Sequence, residues 1–143
     1  MMKNAYIFIA LSLMFAFFSC DKAFENGELD GMWKLQKVEM QGENGSVCTP
    51  EGIYYSFQRH LVLLGEYYPE AAPQLYMAKF EHKGGVITMN DFYEHPGIDG
   101  ICSMEALEKY FIFDGIMKFK VRGLNDKALH LESDYGNYYF VRW

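Results

Sequence analysis

Cysteines, histidines and paired carboxylates are the side chains best suited to chemistry, and this chain places few of them at useful spacing. The histidines are His60, His82, His95 and His130. None stands in an H-x-H or H-E-x-x-H arrangement that would bring two ring nitrogens onto one metal. Glu94-His95 beside Asp91 comes nearest to a metal cluster, and its polar setting reads as a solvated loop. Glu105 and Glu108 share a face of a short helical segment, as ordinary solvated carboxylates do. No Gly-x-Ser-x-Gly, phosphate-binding loop or dinucleotide fingerprint is present. These residue types argue for no catalytic group, no metal and no cofactor. The cysteines, Cys20, Cys48 and Cys102, carry more information.

Cys20 closes a segment that reads as an export signal. Lys3 supplies a positive start, and Ala5 to Phe18 is an apolar run broken only by Ser12. That run is short of the roughly 20 residues a permanent transmembrane helix needs. Its end, Phe17-Phe18-Ser19-Cys20, resembles a bacterial lipobox, with Phe17 in place of the usual Leu and Phe18 bulkier than the typical Ala or Ser. The resemblance implies a lipoprotein signal peptide over 1–19, an acylated Cys20 with a short tether over 20–28, and a folded domain over 29–143. Each buried CH₂ of an acyl chain contributes about 0.8 kcal/mol, so two or three palmitate-length chains hold a protein on a membrane almost permanently. The membrane is the expected partner through Cys20, with the outer membrane as the expected address. Asp21-Lys22-Ala23 leaves the periplasmic and surface faces both open. In such an oxidising compartment Cys48 and Cys102 are a candidate disulfide that would stabilise by up to about 4 kcal/mol; two free thiols are the alternative.

The 143 residues suit one domain, and 50% apolar with 22% charged residues is a globular composition. Lys plus Arg number 13 against 19 Asp plus Glu, for a net charge of −6, which lacks the basic footprint nucleic acid requires.

After Cys20 the chain is dominated by short β-type segments between turn residues. Gly31-Met32-Trp33 opens the first, which runs to about Met40. Trp33 and Leu35 fall on one face and Val38 and Met40 on the other, which predicts a bulge near Gln36. Gln41 to Gly52 reads as a loop. Ile53 to Leu64 is either one bent strand or two strands broken at Arg59-His60. Gly65 to Pro73 reads as a loop. Gln74 to His82 and Val86 to Phe92 flank Gly84-Gly85, a strong hairpin signal. Tyr93 to Ile101 is irregular, and Ser103 to Tyr110 is the one helix, capped by Ser103. Met117, Phe119 and Val121 then alternate with Lys118, Lys120 and Arg122, Leu129 and Leu131 alternate with His130 and Glu132, and Asn137 to Trp143 closes the chain. Asn125-Asp126 and Asp134-Tyr135-Gly136-Asn137 supply the turns. The pattern predicts an all-β antiparallel sandwich or barrel of seven to eight strands with one short helix, and closure as an up-and-down β-barrel would remove its exposed edges.

Gly31-Met32-Trp33 at the first strand and Arg142 within Tyr139-Phe140-Val141-Arg142-Trp143 at the last resemble the lipocalin pattern. The layout is similar to the small lipocalin-like lipoproteins of Gram-negative envelopes, which are calycin-type barrels. The resemblance implies that Arg142 lies across Trp33 and closes one mouth of the barrel. It also implies a non-enzymatic protein holding a small apolar or amphipathic ligand, with Tyr55, Phe57, Tyr76, Phe80 and Phe119 as candidate lining residues and Tyr54 beside them. Those aromatics serve equally as core filling for a small barrel. The alternative function is a protein-interaction module, an inhibitor or an accessory subunit, acting through the loops Gln41–Gly52, Gly65–Pro73 and Tyr93–Ile101.

Overall fold

The computed structural model describes residues 25–67, 75–95 and 102–143. The signal peptide, Cys20 and the first part of the tether lie outside the described residues, as do 68–74 and 96–101. The strands are β1 (Gly31–Met40), β2 (Val47–Cys48), β3 (Ile53–Gln58), β4 (Leu61–Glu66), β5 (Leu75–Lys83), β6 (Val86–His95), β7 (Met117–Leu124), β8 (Ala128–Ser133) and β9 (Gly136–Arg142). Among the described residues one α-helix, α1 (Met104–Glu108), precedes β7. Every pairing is antiparallel. The order runs β1-β3-β4-β5-β6-β7-β8-β9, and β9 pairs back onto β1 from Trp33↔Arg142 to Met40↔Gly136. Eight strands therefore close a ring, which removes the unpaired edges an open sheet would expose. The two-residue β2, inside what the sequence reads as a plain loop, pairs with Val38 and Glu39 where β3 has diverged from β1.

Turn chemistry decides the hairpins. Arg59, at φ 57, breaks the long Ile53–Leu64 segment into β3 and β4, settling the question the sequence left open. Gly84 and Gly85 take φ of 59 and 72, the left-handed pair that a tight two-residue hairpin needs. Alternation is interrupted by irregularities of register. The shift between Leu35 and Lys37 returns Val38 to the buried face with Trp33 and Leu35, so Val38 does not stay on the outer face. A second shift opposite Asn90–Tyr93, with Asp91 at φ 52, lets Met89 and Phe92 both point inward. A third lies between Val121 and Gly123. Each bends its strand and strengthens the twist that barrel closure requires.

The ring has two different ends. One carries the starts of β1, β4, β6 and β8 together with the chain's opening residues, where a 3₁₀ turn spans Gly27–Leu29. The other carries α1 and the loops around β2 and after β6. The folded part begins before residue 29. Asn26 donates from its backbone and side-chain amides to Asp30, at 3.0 and 2.7 Å, and from its side chain to the Arg59 carbonyl at 2.8 Å. Asn26–Glu28, placed by sequence in the tether, are thus built into this end of the barrel.

Candidate functional site

At the first end Trp33 is fully buried, and its indole N–H donates to the Leu29 carbonyl at 2.8 Å. The Arg142 guanidinium carbon lies 4.0 Å from the centroid of that indole. Arg142 also donates from Nη1 to the Asp30 carbonyl and from Nη2 to the Glu28 carbonyl, both at 2.7 Å, and from Nε to the Asp126 carbonyl at 3.3 Å. Lysine cannot replace this fork, because three divergent carbonyls need a planar set of donors. Gly31, at φ 124, lies directly beneath it, and a Cβ there would overlap the guanidinium. The geometry shuts this mouth of the barrel with protein atoms alone.

The other end is closed by a plug. Ser103 caps α1 by accepting from the Ala106 amide at 3.4 Å, and the helix ends after barely more than a turn. Phe111 sits at φ 62, and the paired bonds Ile112 N–H to Leu107 C=O and Phe111 N–H to Glu108 C=O form a Schellman motif. Its apolar partners Leu107 and Ile112 are fully buried, as is Tyr110 at 1% exposure. The turn leaves the carbonyls of Tyr110 and Phe111 pointing into the barrel. Tyr55 donates its hydroxyl to the first, and Tyr138 donates to the second at 2.8 Å. Lys109 reaches the buried carboxylate of Glu66 at 2.5 Å. Burial pushes the Tyr55 phenol well above its usual range and the Tyr138 phenol up to about 12.

Between these ends lie the five residues expected to line a ligand site. Tyr55, Phe57, Tyr76, Phe80 and Phe119 are all inside, with exposures of 0–6%. They pack ring against ring: Tyr55 on Phe140, Phe57 on Phe80, Tyr76 on Tyr110 and Phe119 on Tyr138, at centroid distances of 5.0–5.3 Å. In this conformation they are core, and Tyr110 of the plug is one of their neighbours. Tyr54 points outward instead, its ring lying over Gly65, where any side chain would collide with it.

Cys48 and Cys102 are free thiols, the second of the two readings the sequence left open. Cys48 is held on β2 opposite Val38, whereas Cys102 hangs from the Phe92 carbonyl with its Sγ 3.5 Å from the Ser103 carbonyl. Separate backbone anchors fix each cysteine on its own element. Desolvation, and after it the negative charge of Glu94, raises the Cys102 thiol above its usual range. The sequence reading missed Tyr110, Tyr138 and the Lys109–Glu66 pair. A Tyr at the end of a short amphipathic helix was the available signal for the plug, but no spacing rule links it to Tyr55, 55 residues away.

A closed eight-stranded antiparallel ring, shut at one mouth by an arginine over the first-strand tryptophan, defines a lipocalin-like barrel. The chain belongs to the lipocalin-like domain family, which it matches over residues 13–143. In fold it is similar to the crystal structure of a lipocalin-like protein from Bacteroides uniformis, at a TM-score of 0.64 and 19% identity, covering 82% of this chain and 100% of that one. It is likewise similar to an uncharacterized protein from Bacteroides eggerthii, at a TM-score of 0.63 and 20% identity, covering 80% of this chain and 99% of that one. None of the curated proteins compared with the chain matches it.

Proposed function

We propose that this is a non-enzymatic envelope lipoprotein, anchored in the outer membrane through acylated Cys20, whose barrel takes up a small apolar or amphipathic ligand at the end occupied by α1. Lipocalin-like domains are in general non-enzymatic binding barrels, and the signal and lipobox-like residues support the anchor. The observation that carries the ligand reading is the plug. It is a short segment resting on an aromatic interior and tied to it by two phenolic hydrogen bonds and one ion pair. Swinging it outward would uncover Tyr55, Tyr76 and Tyr138, an apolar surface with polar tips of the kind small-molecule sites use. A ligand would then take the place of the plug.

A second reading, a protein-interaction module, is favoured by the packed interior just described. Native mass spectrometry of the protein purified from its own envelope separates the two. A small mass released on denaturation supports the ligand site. If the protein instead retains a stoichiometric protein and no small molecule, and takes up no apolar probe when Tyr55 and Tyr138 are replaced by Phe, the ligand reading fails. The intact mass in the same experiment reports the acyl chains on Cys20.

A further inference from the structure

We propose that the ligand taking the plug's place is a cationic amphiphile, an apolar body bearing an ammonium group that sits on Glu66 where Lys109 sits now. The inference rests on the ligand reading above and adds the chemical class of the ligand to it.

Register places the carboxylates. Glu66 follows the buried Val62 and Leu64 on β4 and pairs with Ile53, and Glu94 follows the buried Phe92 on β6 and pairs with Tyr76. Residues paired across a ladder share a face of the sheet, so both carboxylates stand on the inner side of the ring, at the mouth that α1 covers. Glu66 is built into the wall, with its side chain 5% exposed, whereas the Lys109 side chain is 54% exposed and belongs to the plug. Glu94 stands exposed at the rim. Burial raises the Tyr76 phenol above its usual range, with Glu94 and Glu66 adding to the effect and Lys109 opposing it. Two carboxylates and one cation thus act on the ring that Tyr110 packs against.

That arrangement fixes the charge a replacement must carry. A buried carboxylate is costly unless a cation accompanies it, and Lys109 departs with the plug. Glu105 and Glu108, exposed on α1, depart too. Among the described residues the other lysines and arginines stand on the outer face of the barrel or at its Arg142 end, and His95 pairs with Leu75 on the outer face. The hydroxyls of Tyr55 and Tyr138, which now donate to carbonyls, would also serve a fatty-acid carboxylate. Such a ligand, however, adds a third negative charge to a mouth whose cation has just left, and like charges at close range oppose ionisation. A neutral amphiphile leaves Glu66 without the ammonium that meets it now. An amine satisfies both the carboxylate and the aromatic interior.

Isothermal titration of the full chain compares three probes of one chain length below their micelle thresholds: dodecylammonium, dodecanol and dodecanoate. The loosened Tyr55→Phe/Tyr138→Phe variant is titrated beside the native chain. In whichever form takes up probe, the expected result is saturable one-to-one binding of dodecylammonium, tighter than that of dodecanoate by about tenfold or more. Glu66→Gln should shrink that preference to within about threefold. Should Glu66→Gln fail to fold, Glu66→Gln/Lys109→Met removes both charges of the pair and reads the same preference. Dodecanoate binding as tightly as dodecylammonium overturns the cation and leaves the ligand reading in place. A dodecylammonium preference undiminished in the folded Glu66 variant is mere attraction to a chain of net charge −6, and overturns it as well. If neither form binds any of the three probes, the ligand reading falls and this inference with it.

Discussion

Arg142 lies flat over Trp33, 4.0 Å from the indole centroid, while its fork of donors ties the last strand to the carbonyls of Glu28 and Asp30 at the start of the domain. First and last strands are neighbours in the ring, so this contact closes the barrel both around its circumference and across its mouth. Hydrogen bonds from a charged donor contribute about 1.5–3 kcal/mol, and a cation over an indole about 0.5–2 kcal/mol. Arg142→Ala is therefore expected to lower stability by about 2–4 kcal/mol. Arg142→Lys should recover less than half, because one ammonium cannot serve diverging carbonyls. Urea unfolding with an unchanged slope checks both; a loss under about 0.5 kcal/mol for the alanine variant would reduce Arg142 to a surface residue.

Tyr55→Phe removes the hydroxyl that donates to the buried Tyr110 carbonyl, at a cost of about 1–3 kcal/mol, and Tyr138→Phe does the same at the Phe111 carbonyl. Both changes act on one plug, so the double variant should release it while the ring stays closed. Binding of an environment-sensitive apolar dye should rise in the double variant, with the far-ultraviolet β signal retained. Unchanged dye binding would mean that apolar packing alone holds α1 in place.

Gly136 opens β9 at φ 154, and a Cβ there would run into the Glu39 carbonyl of the neighbouring strand. Neither the backbone conformation nor the space suits a side chain. Gly136→Ala should destabilise by about 1–3 kcal/mol, the cost of a strained backbone residue. Gly84→Ala, at a tip where nothing lies nearby, should lose less. Thermal melts of the two variants compare them directly, and equal shifts would refute the steric part of the argument.

Alkaline pH should unfold the barrel through its phenols. A tyrosine ordinarily loses its proton near 10, while Tyr138 in the folded protein holds it to about 12, and Tyr55 is shifted in the same direction. The folded state favours the neutral phenol, so this stabilisation is complete below pH 10 and is lost as pH rises towards 12 and beyond. For Tyr138 it corresponds to roughly 2–3 kcal/mol. Tyrosinate absorbance and circular dichroism should change together in that window. In Tyr138→Phe the decline of stability with pH should be shallower, and an identical pH profile would count against the buried phenol.

Local signals in the chain announced the hairpins and one of the three bulges. Gly84-Gly85 marks its turn because glycine accepts left-handed angles that other residues resist, and the break in alternation after Leu35 marks the irregularity at Gln36. The split at Arg59 was ambiguous because a non-glycine residue takes the left-handed position there. The plug was illegible for a different reason. Its partners Tyr55, Glu66 and Tyr138 come from three strands, and their convergence on Lys109, Tyr110 and Phe111 depends on ring closure.

Side-chain periodicity and turn residues are properties of neighbours along the chain, so the antiparallel strands, the one helix and the identity of most of the apolar core were written in the sequence alone. Whether the aromatic interior is hollow was not. That depends on how volumes from eight strands and a returning helix sum across the barrel, a quantity with no one-dimensional signature. Only the tertiary structure brings Leu107, Tyr110 and Ile112 into one cluster with the rings that sequence had offered to a ligand.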